Sequence, residues 1–143
     1  MKTTFLIIFA VLFLSASEIE QIPLTITITN VQNTKGNIRI GIYKKSNDFP
    51  NEADTYKNKV YKINRTGSIL IKIKDLPYGE YAIGVYHDEN KNETLDKNFV
   101  GAPKEPFAFS KNFQPRFSAP DFSDCKFDYS ATNSKMSMKM LNY

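Results

Sequence analysis

The sequence predicts an all-β fold, an antiparallel β-sandwich of about seven strands. Apolar and polar residues alternate with a period of two in several short segments, as in strands that bury one face. Turn-forming Gly, Pro, Asn and Asp separate these segments, and no long amphipathic helical period is present. The chain has 143 residues, of which 41% are hydrophobic, which suits one domain with one well-filled core.

Each predicted strand is recognised by its alternation. Residues 24–29 and 38–43 flank a polar turn at residues 33–37, and we expect these two strands to form a hairpin. Residues 44–58 are polar and predict a loop with a short helical turn near residues 52–57. Further strands are predicted at residues 60–63, 69–73, 81–87, 125–129 and 136–141.

The first 17 residues have the layout of a cleaved signal peptide. Lys2 supplies a positive charge, residues 5–14 are uninterrupted apolar residues, and Ser15-Ala16-Ser17 are small. The apolar run is shorter than the roughly 20 residues that cross a bilayer. We therefore expect residues 18–143 to be a single domain, secreted or periplasmic, with no transmembrane segment after cleavage.

Charge and cysteine content narrow the classes of partner. The net charge is +4, but the lysines are scattered and form no dense basic block, which indicates a solvated surface and no nucleic-acid partner. The partner of an exported domain is then a component of the cell envelope, or an extracellular glycan or protein. Cys125 is the only cysteine, so it forms no intramolecular disulfide. It is interpreted as a buried small apolar residue; an intermolecular bridge or a reactive thiol is the alternative.

One segment carries a pattern of metal-ligand type, at residues 88–96. Oxygen-bearing groups recur at every second position, in the spacing of the first nine positions of an EF-hand-type calcium loop. The predicted ligands are Asp88, Asn90, Asn92, the carbonyl of Thr94, and Asp96. Glu93 stands where such loops usually have Gly, and Phe99 where they have a bidentate Glu. The alternative interpretation is an Asx-rich turn held by hydrogen bonds from side chains to the backbone.

Three functional classes follow from these features. The first is a non-enzymatic binding or structural module in which residues 97–120, rich in Phe, offer a ligand surface beside the 88–96 loop. The second is a cell-envelope hydrolase, for which His87, Asp88 and Glu105 are the candidate acid-base groups if they converge in a pocket. The third is a carbohydrate-binding module that uses exposed aromatic residues. No catalytic residue is assigned under the first, which we favour.

Four motifs follow one another in the second half of the chain: Leu76–Ala82, His87–Asn92 with Leu95-Asp96, Gly101–Glu105, and Phe109-Ser110. This series resembles the exported bacterial family catalogued as domain of unknown function 2141, which reads roughly LPxGxYA, HDxNxNxxLD, GxPxE and FS. Ala108 departs from it, standing before Phe-Ser where the family has Gly. The resemblance implies an immunoglobulin-like or transthyretin-like β-sandwich outside the cytoplasm, and it implies no established activity.

Overall fold

The computed structural model describes residues 21–142, which form eight strands in two sheets. The predicted signal peptide at residues 1–17 lies outside the described residues. The helical elements are two short 3₁₀ turns, Glu52–Asp54 and Ser110–Asn112, and one short helix, α1 (Phe122–Cys125). The strands are β1 (Leu24–Val31), β2 (Asn37–Tyr43), β3 (Lys57–Lys62), β4 (Gly67–Ile73), β5 (Gly79–Asp88), β6 (Phe107–Phe109), β7 (Phe127–Tyr129) and β8 (Lys135–Lys139).

The two sheets confirm the predicted β-sandwich. A three-stranded sheet has the order β4-β1-β8, and a five-stranded sheet has the order β3-β2-β5-β6 with β7 also paired to β5. Among the described strands all pairs are antiparallel except β1–β8, which is parallel with Ile26 opposite Met136.

The predicted hairpin between the first two strands is wrong. β1 pairs with β4 and β8, whereas β2 pairs with β3 and β5, so residues 32–36 carry the chain from one sheet to the other. Both strands have one apolar face, and stacking the sheets buries both faces against each other. The crossing is tight, because a Cβ at Gly36, where φ is +61°, would lie 1.8 Å from the Asp88 carbonyl oxygen.

The main core lies between the sheets and follows from the alternation of apolar and polar residues along the strands. Ile26 and Ile28 of β1 face Ile40, Ile42 and the inner side of β5, and each of these isoleucines is at most 1% exposed. Burying each such side chain contributes about 1.5–3 kcal/mol to stability. The opposite face of β1 carries half-exposed threonines, as expected for the solvent side of a sheet.

The outer face of the five-stranded sheet is also apolar, and this positions the candidate site. A second cluster covers it, with the 97–120 segment and α1 packed on β5 and β6. The segment contains β6, whose phenylalanines are buried, whereas Phe99 and Phe117 are exposed. Cys125, predicted in a strand, ends α1 instead and is fully buried with a free thiol. Other cluster members are Tyr43, Phe49, Ala82, Tyr86, Phe107 and Phe109. Within residues 21–142, no helix has the length and apolar character needed to cross a membrane.

Candidate functional site: an apolar groove beside the 88–96 loop

The 88–96 loop begins at a fully buried carboxylate at the end of β5. Asp88 Oδ2 accepts a hydrogen bond from Arg39 Nε at 2.7 Å and another from the Glu93 N–H at 3.1 Å. Its Oδ1 accepts from the Asn92 N–H at 3.1 Å. Because an unpaired buried charge is costly, this ion pair and the two N–H donors are what make burial of Asp88 tolerable.

The structure brings three of the predicted ligand side chains of the loop together. The side-chain amides of Asn90 and Asn92 donate to the two carboxylate oxygens of Asp96, at 2.7 and 2.8 Å. Asn90 Oδ1 accepts from the Asn92 N–H, and Asn92 Oδ1 accepts from the Thr94 N–H, both at 3.0 Å. Glu93 has φ 71°, the left-handed conformation for which calcium loops usually use Gly. The predicted turn therefore forms with Glu in place of Gly.

Glu105 closes the loop from the side. Its carboxylate is 8% exposed, with Oε1 accepting from the Glu89 N–H at 2.9 Å and Oε2 from the Asp96 N–H at 3.1 Å. Both oxygens are thus engaged by backbone donors. Glu105 therefore joins the two ends of the loop.

The three candidate acid-base groups do not converge around a pocket. His87 and Asp88 are consecutive on β5, so their side chains point to opposite faces of the sheet. His87 Nε2 lies 2.6 Å from the Lys35 carbonyl oxygen and its ring is 1% exposed. None of His87, Asp88 and Glu105 lines the large groove described below. Their contacts are those of structural groups.

The main concave feature is a groove on the outer face of the five-stranded sheet. It has a volume of about 1060 Å³, the size of a site for a small organic ligand. Gly41 of β2 and Gly84 of β5 are directly paired at its floor. The Tyr43 ring covers Gly41, since a Cβ there would lie 2.8 Å from Tyr43 Oη. At Gly84 a Cβ would be in ordinary van der Waals contact, 3.7 Å from Phe109 and 3.8 Å from Tyr43, so these two rings flank the glycine and leave room for a Cβ.

Aromatic residues form the walls of the groove. The rings of Phe107 and Phe109 are 5.6 Å apart in an edge-to-face arrangement. Tyr43 donates to the Pro50 carbonyl at 3.2 Å, and Tyr86 donates to the Glu93 carbonyl at 2.9 Å. Burial raises the pKa of both tyrosine hydroxyls, so they are protonated donors at neutral pH. The aromatic side of the groove is therefore apolar and largely buried, with the polar ends of the tyrosines already satisfied.

The groove and the 88–96 loop share residues. Arg39 and Glu93 both line the groove, and Arg39 Nη2 lies 2.8 Å from Glu93 Oε1 while its Nε binds Asp88. Glu52, also in the lining, accepts the Leu95 N–H with both oxygens at 3.2 and 3.3 Å. The loop is thus one wall of the groove.

The predicted ligands of the loop carry few negative charges for a metal site. Among the described residues, no group of three or more His, Cys, Asp and Glu could hold a metal ion. A hard cation would instead use amide and carbonyl oxygens together with Asp88 and Asp96. Amide and carboxylate oxygens have more than one lone pair, so hydrogen bonding leaves acceptor capacity. Arg39 already supplies a positive charge to Asp88, which a cation would have to share.

Sequence reasoning missed the groove, although it singled out one of its flanking segments. The floor depends on two glycines 43 positions apart, and only the β2–β5 register brings them together. Gly41 and Gly84 each occupy an outward position in an alternating strand, where a side chain is expected. A glycine at such a position often marks a place where a ligand or another part of the chain approaches the backbone closely. These two glycines were the sequence signal that could have indicated the groove.

Comparison with known proteins identifies a family and gives no activity. A family model described as "Uncharacterized protein conserved in bacteria (DUF2141)" matches residues 26–137. No curated protein sequence matches the chain significantly, and no solved structure does. The match spans both sheets, the 88–96 loop and the groove.

Proposed function

The chain belongs to the DUF2141 family, whose description names no activity, and we propose that it is an exported, non-enzymatic binding module whose ligand is a small molecule with an apolar part. The single observation that carries this proposal is the groove over Gly84. A sandwich normally presents a polar outer sheet face to solvent. Here that face carries an aromatic cluster beside a groove of about 1060 Å³, a size typical of sites for small organic ligands.

Exposed apolar residues at the rim support the same proposal. Phe117 and Val100 line the groove and are 102% and 70% exposed. A bound apolar molecule that contacts them removes this surface from water, which is favourable by about 25 cal/mol per Å². The groove lining holds no His and no Cys, and the candidate acid-base groups lie elsewhere, which favours binding over catalysis.

Filling the floor tests the proposal. Gly84→Val places a β-branched side chain where the backbone accepts it, since Gly84 does not have a positive φ and valine suits strands. We expect the variant to weaken binding of the neutral fluorescent probe N-phenyl-1-naphthylamine at least about tenfold, or by about 1.4 kcal/mol, because the valine side chain takes space that the probe would fill. Fluorescence titration measures it.

A matched control separates filling from general damage. Thr27→Val introduces the same side chain on the solvent face of the three-stranded sheet, away from the groove. It should bind the probe as the wild type does, and both variants should retain the far-ultraviolet circular dichroism of the wild type. Unchanged affinity of Gly84→Val for the probe would refute the proposed site.

We further propose that the 88–96 loop binds calcium weakly and stabilises the wall of the groove. The hydrogen bonds that join Asn90 and Asn92 to Asp96, the bond from the Asn92 N–H to Asp88, and the left-handed Glu93 support this. With affinity in the range of about 10⁻⁴–10⁻³ M, millimolar calcium should add about 0.4–1.4 kcal/mol of stability.

Thermal melts in chelator and in millimolar calcium test this second proposal. Asp96→Ala removes a proposed ligand whose side chain, within residues 21–142, is hydrogen-bonded only by the amides of Asn90 and Asn92, and it should abolish the calcium-dependent rise in melting temperature. Magnesium at the same concentration should have little effect. It requires near-ideal octahedral geometry and gives up its bound waters reluctantly, whereas the loop supplies flexible oxygen ligands. If no rise occurs in the wild type, this second proposal is refuted, and the charge of Asp88 is balanced by Arg39 alone among the described cations.

A further inference from the structure

We infer that the ligand of the groove is an anionic amphiphile, a free molecule with one acidic group and one apolar chain. This inference rests on the proposed function and names the class of molecule bound. Its acidic group would lie at Lys97 and Arg116 and its apolar chain over Gly84. The charges around the groove and the apolar rim carry the argument.

The groove has an excess of positive charge. Its lining contains four cationic side chains and two glutamates, so its net formal charge is +2. The glutamates are Glu52 and Glu93, and the cations are Arg39, Lys59, Lys97 and Arg116.

Most of these charges already have partners. Arg39 is paired with Asp88 at 2.7 Å and with Glu93 at 2.8 Å. Lys59 lies 2.8 Å from an oxygen of Asp75. Each of these cations is therefore compensated by a carboxylate of the protein itself.

Two cations remain for a ligand. Among the ion pairs of residues 21–142, none involves Lys97 or Arg116, and both side chains are exposed on segments that border the groove. An arginine and a lysine together bind a carboxylate, sulfate or phosphate oxygen through charge-assisted hydrogen bonds.

Apolar residues adjoin these cations in the sequence. Phe117 follows Arg116 directly, and Val100 lies three residues after Lys97, with both apolar side chains largely exposed and lining the groove. A neutral apolar ligand would leave the two cations without a partner, and a small hydrophilic anion would leave the apolar walls in water. An amphiphile satisfies both.

The test compares an acid with its ester. The probes are 11-(dansylamino)undecanoic acid and its methyl ester, which differ only in charge at the head. We expect the wild type to bind the acid more tightly. The double variant Lys97→Gln/Arg116→Gln should lose about five- to tenfold in affinity for the acid, the sum of two exposed charge contacts. Its affinity for the ester should change by less than a factor of about two, since no charge contact is involved.

The control removes the same charge elsewhere. Lys45→Gln/Lys62→Gln alters two exposed lysines outside the groove lining and should leave binding of the acid unchanged. Added salt should weaken binding of the acid and not of the ester. Equal affinity of the wild type for both probes, or equal loss in both double variants, would overturn the inference.

The outcomes separate the inference from the function on which it rests. If Gly84→Val abolishes binding of both probes and the charge variants change neither, the groove binds ligand and the anionic preference is wrong. If Gly84→Val binds both probes as the wild type does, the groove itself is not the site. Co-sedimentation with phosphatidylglycerol vesicles without affinity for the monomeric acid would place the acidic group on a membrane, and would also overturn the inference.

Discussion

Replacing Asp88 with Asn should destabilise the protein more than any other single charge removal in the loop. Asp88→Asn keeps the size of the side chain but places an NH₂ group, a donor, where Oδ2 now accepts from Arg39 Nε and from the Glu93 N–H. Hydrogen bonds to charged groups contribute about 1.5–3 kcal/mol, and breaking a buried pair costs about 3–5 kcal/mol. The Arg39 side chain keeps 18% exposure and its contact with Glu93, so we expect a loss near the lower end, about 3 kcal/mol.

Urea denaturation measures this loss directly, provided that the m-value is unchanged. A loss of about 3 kcal/mol corresponds to a fall of about 10 °C in melting temperature for a domain of this size. The control is Glu93→Gln, which removes the other half of the Arg39 pair at a side chain that is 74% exposed, and should cost less than about 1 kcal/mol. Equal losses in the two variants would refute the claim that Asp88 is the buried anchor of the loop.

Three further predictions concern residues outside the groove. Gly36→Ala should prevent stable folding or cost well over 2 kcal/mol by urea denaturation, whereas Gly67→Ala, with a similarly positive φ but nothing within 4 Å, should cost only about 1 kcal/mol of backbone strain. Burial raises the pKa of the Cys125 thiol to about 12, so Ellman's reagent at mildly alkaline pH should react with the denatured and not the folded protein; rapid reaction of the folded protein would contradict this. Hydrogen bonds from Lys59 and Lys57 lower the pKa of Asp75 from 3.8 to about 2, so its contribution is present above pH 4 and lost as the pH falls towards 2. Because Asp75 is exposed, Asp75→Asn should lower stability at neutral pH by less than about 1 kcal/mol and flatten that part of the acid dependence.

The strands could be predicted from the sequence because each buries one face. The alternation of Ile with Thr in β1 and of Ile with polar residues in β2 and β4 reports directly which side chains face the core. β6 was missed because its three residues are too few to show a period and all are buried. Its phenylalanines were instead interpreted as part of a ligand surface.

Strand pairing was harder to predict than strand position. The turn at residues 33–37 is compatible with a hairpin and with a crossing between sheets, and local turn chemistry does not distinguish them. The parallel pairing of β8 with β1 depends on contacts more than 100 residues apart in the chain, for example Ile26 with Met136. Such long-range choices are settled by how the apolar faces pack and are not visible in any short segment.

The 88–96 loop and the groove likewise differ in how far the sequence alone predicts them. The 88–96 loop was found because its polar residues are consecutive, and its side chains do converge. The groove combines Gly41, Gly84 and residues 97–119, which only the folded sheet brings together. His87, Asp88 and Glu105 were grouped by residue type, whereas alternation along β5 separates the first two onto opposite faces.

The most direct test of the central claim is to follow the backbone amide resonances of the uniformly ¹⁵N-labelled protein during titration with N-phenyl-1-naphthylamine. If the groove binds an apolar ligand, the largest shifts will come from Gly41, Gly84 and Tyr86 at its floor and wall. The threonines of β1, on the far sheet, should not move. Shifts that are largest in β1, or spread evenly over both sheets, would contradict the account.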